Sequence, residues 1–435
     1  MGRLRRRVQK IDAARDFVAD AIDAGRPGHQ SCAGMADLNP DLLDTGTPPI
    51  PQAQGWARAY DGAAGPLIDL SQAVPGSAPP EALLQRLAEA AAQPASARYG
   101  GITGDARLRE AYAAEVSTIY GSRIGAHETI ITSGCNQAYV VTMMALARAG
   151  DNVLLPTPWY FNHEMTLTML GVEPRPLPCD PAAGFVPAVA DAEELIDGRT
   201  RAIVLVSPNN PTGAVYPPAT IAAFAELCQR RGIWLVLDET YRDFLPEGVA
   251  RPHEVFAASD WRETLIGLYS FSKAYAVPGW RLGAITAGEP VVAQIGKVLD
   301  CVQISPVRAG QAAVTWGIDG VRGWREAKRT EINARAALFR EAMAPLNGWR
   351  VLAAGAYFAY VAHPFGDAPA AEVARRLVAE RGVLALPGPY FGPGQERHLR
   401  VAIANVSAER IAGLGERLRG FFPSPLGGKG GSAER

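Results

Sequence analysis

Ile233-Trp234-Leu235-Val236-Leu237-Asp238 is a strand-sized apolar run that ends on a carboxylate. A short run of this kind fits a strand buried on both faces, as strands are in parallel sheets. Around it, short β-branched runs alternate with helix-period segments of about a dozen residues, the pattern of a parallel sheet joined by crossover helices. The predicted strands are Thr129–Thr132, Asn152–Leu155, Arg201–Val206, Ile233–Leu237, Thr264–Leu268 and Leu282–Thr286. Helices are predicted over Asn136–Arg148, Pro218–Arg231 and Pro290–Asp300.

The character changes after about residue 315. A long helix over Gly323–Ala344 leads to strands near Tyr357–Val361 and His398–Ala402, with helices at Ala370–Arg381 and Ala408–Phe421. The expected architecture is α/β: a large domain with a mostly parallel sheet between helices, followed by a smaller α+β domain. Residues 67–315 form the large domain and 316–422 the small one, to which part of an N-terminal arm over 35–66 belongs. That arm carries Thr47-Pro48-Pro49-Ile50-Pro51. Residues 1–34 are expected to be a disordered extension, and the Gly/Ser-rich 423–435 a disordered tail.

A length of 435 residues is ample for two packed units, and 43 Lys+Arg against 44 Asp+Glu leave a net charge of -1. Such a balance gives no global field toward nucleic acid or acidic lipid, so neither is an expected partner. Cys32, Cys135, Cys179, Cys228 and Cys301 show no CxxC pair and no His at metal-ligand spacing. Reduced thiols in a cytoplasmic protein without a metal site are the expectation. The longest apolar runs are strand-sized, far below the roughly 18 residues of a membrane span. Met1 to Arg7 is basic, but no apolar segment of secretory-signal length follows.

The chemistry concentrates in Ser270-Phe271-Ser272-Lys273, continued by Pro278-Gly279-Trp280-Arg281-Leu282-Gly283. A lysine that forms a Schiff base and then shuttles a proton must be partly neutral near pH 7, which burial and a neighbouring cation favour. Arg281, eight residues on, can be that cation while its guanidinium forks onto a phosphate. An isolated Ser-x-Ser-Lys would be an ordinary surface loop. The Gly-x-Arg-x-Gly continuation favours instead a site for a phosphorylated aldehyde, pyridoxal phosphate.

Other segments converge on the same ligand. Asp238, at the carboxyl end of its strand, can keep a pyridine nitrogen protonated, and Tyr241 can reach the ring's 3′-oxygen. The competing role for Asp238 is a helix N-cap. Ser207-Pro208-Asn209-Asn210-Pro211-Thr212-Gly213 is a turn that also puts the Asn210 amide at a strand end, able to donate to that oxygen. Ser133-Gly134-Cys135-Asn136-Gln137-Ala138 opens a helix whose free N–H groups suit a phosphate. Pro158-Trp159-Tyr160 offers an aromatic face, and His163 is spaced to hydrogen-bond Asp238, with core packing as the alternative for both. Arg400, in His398-Leu399-Arg400-Val401-Ala402-Ile403, is a cation on an apolar strand that a substrate carboxylate would satisfy. A structural salt bridge is the alternative there, and Arg397 the alternative arginine.

Together these segments, with Tyr99-Gly100-Gly101-Ile102-Thr103-Gly104 ahead of them, resemble the class I/II aminotransferases of fold type I, the group similar to aspartate aminotransferase. The resemblance spans Leu67 to Phe421 and keeps the family's motif order. It implies pyridoxal 5′-phosphate bound as a Schiff base to Lys273, with Asp238 on the pyridine nitrogen and Asn210 and Tyr241 on the 3′-oxygen. It implies Cys135, Asn136, Ser270, Ser272 and Arg281 on the phosphate, Tyr160 stacked on the ring, and Arg400, with Asn210 and Ala73 nearby, on the substrate carboxylate. It further implies a homodimer in which Tyr99 reaches the phosphate of the neighbouring subunit. The implied activity is two-step transfer of an amino group from an L-amino acid to a 2-oxo acid.

Two departures stand out. Ala73, in Leu70-Ser71-Gln72-Ala73-Val74-Pro75-Gly76, stands where family members often have glycine. Asp300 and Cys301 stand where dicarboxylate-specific members carry an arginine ahead of the segment resembling Ile304-Ser305-Pro306, which weakens aspartate as the preferred substrate. The rival activities are a lyase or oxidase on the same fold, and an aminotransferase-like ligand-binding module. The latter lacks a convincing DNA-binding unit in residues 1–66.

Overall fold

A computed structural model describes residues 37–421. The expected extension over 1–34 and tail over 423–435 lie outside the described residues. The strands are β1 (Ile68–Asp69), β2 (Thr129–Thr132), β3 (Asn152–Thr157), β4 (Glu173–Pro178), β5 (Thr200–Val206), β6 (Trp234–Asp238) and β7 (Leu265–Ser270). They continue with β8 (Gly283–Thr286), β9 (Arg350–Gly355), β10 (Phe358–Ala362), β11 (Val383–Leu384), β12 (Leu386–Pro387) and β13 (His398–Ala402).

The seven-stranded sheet has the order β2-β8-β7-β6-β5-β3-β4, and β8 alone runs antiparallel to its neighbours. Period-two alternation explains why its strands read as unbroken apolar runs, because successive side chains feed opposite cores. Leu154, Ile203, Leu205, Leu235 and Leu237 pack on one face with Phe224 and Leu227 of helix Pro218–Arg231 and Tyr112 and Val116 of helix Ala106–Tyr120. Val153, Leu155, Ala202, Val204 and Val236 pack on the other with Tyr139 and Met143 of helix Cys135–Leu146 and Ile295 and Leu299 of helix Glu289–Val302.

The second sheet, β12-β13-β10-β9, is antiparallel. Its core joins Ala359, Val361, Leu399 and Val401 to Phe339 and Met343 of helix Arg322–Met343 and to Val373 and Leu377 of helix Ala370–Arg381. A short parallel pair, β1 with β11, ties Ile68 to Val383 and so anchors the chain after the arm to this unit.

The structure departs from the sequence-based expectation at several elements, among them the unpredicted strand β9 and the two-residue strands β1, β11 and β12. Strand β4 lay outside the predicted set because Pro174, Pro176 and Pro178 interrupt it. It occurs at the sheet edge, pairing only with β3, where missing N–H groups are tolerated. The Pro-rich arm is helical over Pro49–Arg58, with proline in the first turn, where the absent N–H has no intrahelical partner to lose. The final helix is split at Gly413 into Ala408–Ala412 and Leu414–Leu418. No helix of the described residues is long and apolar enough to cross a membrane.

Candidate active site

The parallel strands bring their carboxyl ends together, and a cavity of about 340 Å³ opens there. Asp238 ends β6 in register with Val206 of β5 and Leu268 of β7, so the segments that follow all three strands meet at one edge. Ser207 N–H donates to the Asp238 carbonyl at 3.1 Å, which binds the β5 loop to β6. Within that loop the Asn209 side chain accepts from Thr212 N at 3.0 Å and Thr212 Oγ1 at 2.7 Å. Asn209 thereby folds the turn, and Asn210 is presented to the cavity. Gly213, at φ 76°, permits the turn to approach the small sheet: a Cβ there would stand 2.5 Å from the Gly355 carbonyl oxygen.

The Asp238 carboxylate is buried and fully engaged. His163 Nε2 lies 3.2 Å from Oδ2, Thr240 N–H donates to Oδ1 at 3.0 Å, and the Cys135 thiol donates to Oδ1 at 3.8 Å. Burial alone would raise this carboxyl, but the hydrogen bond and charge of His163 and the donors at Thr240 outweigh it and hold it below the ordinary value. His163 also stacks on Tyr139, with centroids 4.0 Å apart, so hydrogen bonding and core packing both apply. Burial, and then the nearby Asp238 charge, push the Cys135 thiol well up, which keeps it protonated at the start of a helix.

Lys273 lies in the short helix Phe271–Ala274 that follows β7, where Ser270 is the N-cap and accepts from Ser272 N–H at 3.3 Å. Its Nζ donates to the Ala73 carbonyl at 2.5 Å inside the cavity. Burial, followed by the cations of Arg281 and Arg400, lowers this amine to about 8 against an opposing influence of Cys135. Asn210, Tyr241, Tyr160, Asn136, Ser270 and Ser272 line the same cavity. Burial raises the Tyr241 phenol well above its usual range, so it remains a hydrogen-bond donor.

One end of the cavity is built for an anion. Helix Cys135–Leu146 begins there, capped by Gly134 at φ 88°. Arg281, itself left-handed at φ 51°, lays its guanidinium against Gly134 so closely that a Cβ on that glycine would sit 2.2 Å from Nη2. The Ser272 hydroxyl is buried and has no partner within the protein. The glycine-made space, the unsatisfied hydroxyl, the helix terminus and the guanidinium fit a phosphate monoester, and the amine and carboxylate beyond them fit the aldehyde and ring nitrogen of pyridoxal phosphate.

The opposite end holds Arg400 on β13, only 2% exposed. Its guanidinium lies 5.3 Å from the Phe358 ring and 5.1 Å from the Phe391 ring, donates to Asn210 Oδ1 at 3.4 Å and bonds the Ser71 carbonyl. Its Nε has no partner. Arg397, the alternative arginine, is exposed and outside the cavity lining. Tyr99 is 78% exposed and does not line this chain's cavity. Sequence reasoning missed Ile50, Gln72, Val74, Phe161, Val206 and Thr240 in the lining. Thr240 had a signal, lying two residues after Asp238, whereas Ile50 arrives only because the arm docks across the cavity.

A large domain that gathers a lysine, a buried carboxylate and an anion cup at its strand ends, with an arginine supplied by a smaller sheet, defines a pyridoxal-phosphate enzyme of the aspartate aminotransferase-like fold. The chain belongs to the class I and II aminotransferases, whose family model matches residues 66–418. It is 26% identical over 359 residues to an aromatic aminotransferase of Arabidopsis thaliana, covering 81% of this chain and 89% of that one. It is 29% identical over 307 residues to an arginine–pyruvate transaminase of Pseudomonas aeruginosa, covering 70% and 77%. Among solved structures, aspartate aminotransferase from Thermus thermophilus with maleate superposes with a TM-score of 0.80 at 27% identity, covering 88% of this chain and 99% of that one. The activity is pyridoxal-phosphate-dependent transamination, in line with the aminotransferase expectation over the lyase, oxidase and ligand-binding alternatives.

Proposed function

We propose that this chain transfers the amino group of an L-amino acid to a 2-oxo acid with Lys273 as the catalytic amine, Asp238 as the ring-nitrogen partner and Arg400 as the carboxylate anchor. The observation that carries the assignment is that Lys273, Asp238 and Arg400 meet in one cavity with an anion cup at its far end. Cys135 and Asn136, through their helix-terminal N–H groups, and Ser270, Ser272 and Arg281 would hold the phosphate. Asn210 and Tyr241 would hold the 3′-oxygen, and Tyr160 the ring face. When bound, the coenzyme supplies a carbonyl carbon that takes up the amino group and a protonated ring that draws electrons from the substrate α-carbon.

The chain's own groups do the rest. Arg400, unable to relax into solvent, orients the substrate carboxylate, and Ala73 keeps a carbonyl within reach of Nζ. Lys273, shifted toward its neutral form, is placed to remove the proton from the substrate α-carbon and would deliver it to the coenzyme carbon that takes up the amino group, the reverse transfer serving the second half. Asp238, held ionised by His163, would keep a proton on the coenzyme's ring nitrogen. The balance over both halves is one amino acid and one 2-oxo acid consumed, and one of each formed.

The large domain is assigned to 67–315 and the small one to 316–422, with 35–66 as the arm and β1 at the large domain's start packed on the small unit. A homodimer is proposed from the family and from exposed Tyr99, Ile102, Ile304 and Val307, whose two segments are joined where Gly100 N–H donates to Ser305 Oγ at 3.1 Å. Tyr99 would then serve the neighbouring subunit's phosphate, and a monomer by light scattering would refute this. A cytoplasmic location is supported by four free cysteines among the described residues. The central test is Lys273→Ala. Borohydride treatment of the loaded wild type should fix the coenzyme on Lys273, and the variant should lose both the adduct and amino transfer. Transfer at the wild-type rate in the variant would overturn the assignment.

A further inference from the structure

Besides Arg400 and the residues of the anion cup, the cavity lining includes Ile50 from the arm helix, Gln72, Val74 and Phe161, which leaves this part of the wall for the donor's side chain. Ile50 and Phe161 belong to one apolar cluster with Tyr160 and Phe391, and Phe391 is also one of the rings against Arg400. The wall is therefore largely carbon from the carboxylate anchor outward, with Gln72 as its polar member. Every charged side chain that lines the cavity among the described residues is already engaged, Asp238 with His163, Lys273 as the amine, Arg281 over Gly134, and Arg400 at the carboxylate. A second charge on the donor, of either sign, would meet no free counter-charge among the described lining residues of this chain.

We propose that the amino donor carries an uncharged, mainly apolar side chain of leucine, methionine or phenylalanine type, and that Ile50 and Phe161 are specificity-determining residues. This rests on the transaminase assignment above and adds the substrate class, which the relatives' names leave open among aromatic, arginine, valine and aspartate donors.

The test uses the full-length enzyme loaded with pyridoxal phosphate and single-turnover half-reactions with L-leucine, L-methionine, L-phenylalanine, L-aspartate, L-glutamate and L-arginine, followed by 2-oxo acid formation. The best apolar donor should exceed each charged donor at least ~100-fold in rate over Kd, equivalent to about 2.7 kcal/mol. Ile50→Lys should narrow the gap to aspartate and glutamate at least ~10-fold. Calorimetry with two unreactive carboxylates, hydrocinnamate and maleate, is the second readout, and hydrocinnamate should bind tighter to wild type. A charged donor at parity with the best apolar one overturns the inference and leaves transamination intact. Failure of every donor to yield a 2-oxo acid counts against the transaminase assignment, and the carboxylate pair then decides the inference alone: maleate binding as tightly as hydrocinnamate overturns it.

Discussion

Lys273 should capture the coenzyme fast at neutral pH because burial and the two arginines that share its cavity favour its neutral amine. Burial, followed by Arg281 and Arg400, brings the amine to about 8 from 10.5. At pH 7 about one amine in ten is then neutral, against about one in three thousand at the ordinary value, an advantage of about 300-fold. Coenzyme-free protein mixed with pyridoxal phosphate should show a capture rate that rises with pH, bends near 8 and is flat beyond, as followed by absorbance in stopped flow. Borohydride fixation and peptide mapping would locate the adduct. Arg400→Met removes one cation and leaves the anion cup intact, so the bend should move to higher pH, and capture at pH 7 should fall by about three- to tenfold. The same shift has a stability sign. The folded value lies below the unfolded one, so between pH 8 and 10.5 the unfolded chain binds more protons and the coenzyme-free fold gains stability as pH rises through that window. A capture rate still climbing past pH 10, or a bend indifferent to Arg400→Met, would refute the electrostatic account.

Three further outcomes are expected. Gly134→Ala forces a Cβ to 2.2 Å from the Arg281 guanidinium at φ 88°; it should weaken coenzyme binding at least ~10-fold by equilibrium dialysis and cost about 1–2 kcal/mol of backbone strain. Unchanged affinity would mean the guanidinium does not form the cup. Arg325→Met strands Glu115 and Asp243, which the buried guanidinium now holds at 2.7 and 2.9 Å, and should lower stability by about 3–5 kcal/mol in denaturant titrations. A loss under about 1 kcal/mol would show that the buried network relaxes without its cation. Iodoacetamide at pH 8 should modify exposed Cys301 well before Cys135, whose thiol burial and Asp238 hold in the protonated form, and mass spectrometry showing equal labelling would contradict that.

The legible parts of this molecule are those whose causes are local. Strand ends carry Asp238 and Asn210 because apolar runs stop there, and the Ser270–Lys273 segment announces its cap and its amine within four residues. Helix Pro218–Arg231 was readable to the residue, since proline opens it and Gly232 closes it in the left-handed conformation. Edge strand β4 was not, because its prolines argue against a strand until the absence of a second neighbour is known. The same limit governs the site. His163 could be placed beside Asp238 by its spacing and Cys135 at the phosphate by the resemblance, but their sharing of the two Asp238 oxygens depends on two helices meeting one strand end, with Cys135 and Asp238 103 residues apart in sequence. Ile50 could not be found at all, because nothing in a Pro-rich arm records which cavity it will cover.

Arg400 shows why both sheets are required. It is planted on the small antiparallel sheet, yet its guanidinium bonds the Ser71 carbonyl and the Asn210 side chain, which belong to the segment after β1 and to the loop after β5. The Gly213 and Gly355 backbones touch at a distance that no side chain would allow, so that loop is seated directly on the small sheet. Two independent contacts thus fix the reach between the carboxylate anchor and Lys273. A fixed reach suits what all amino donors share, an α-carboxylate and an α-amine one carbon apart. What donors do not share must be read by a surface free of that constraint, and in this chain the arm helix provides it, placing Ile50 beside Phe161 without touching the anchor's own bonds. Changes at Ile50 should accordingly alter which donor is used while leaving the carboxylate requirement in force.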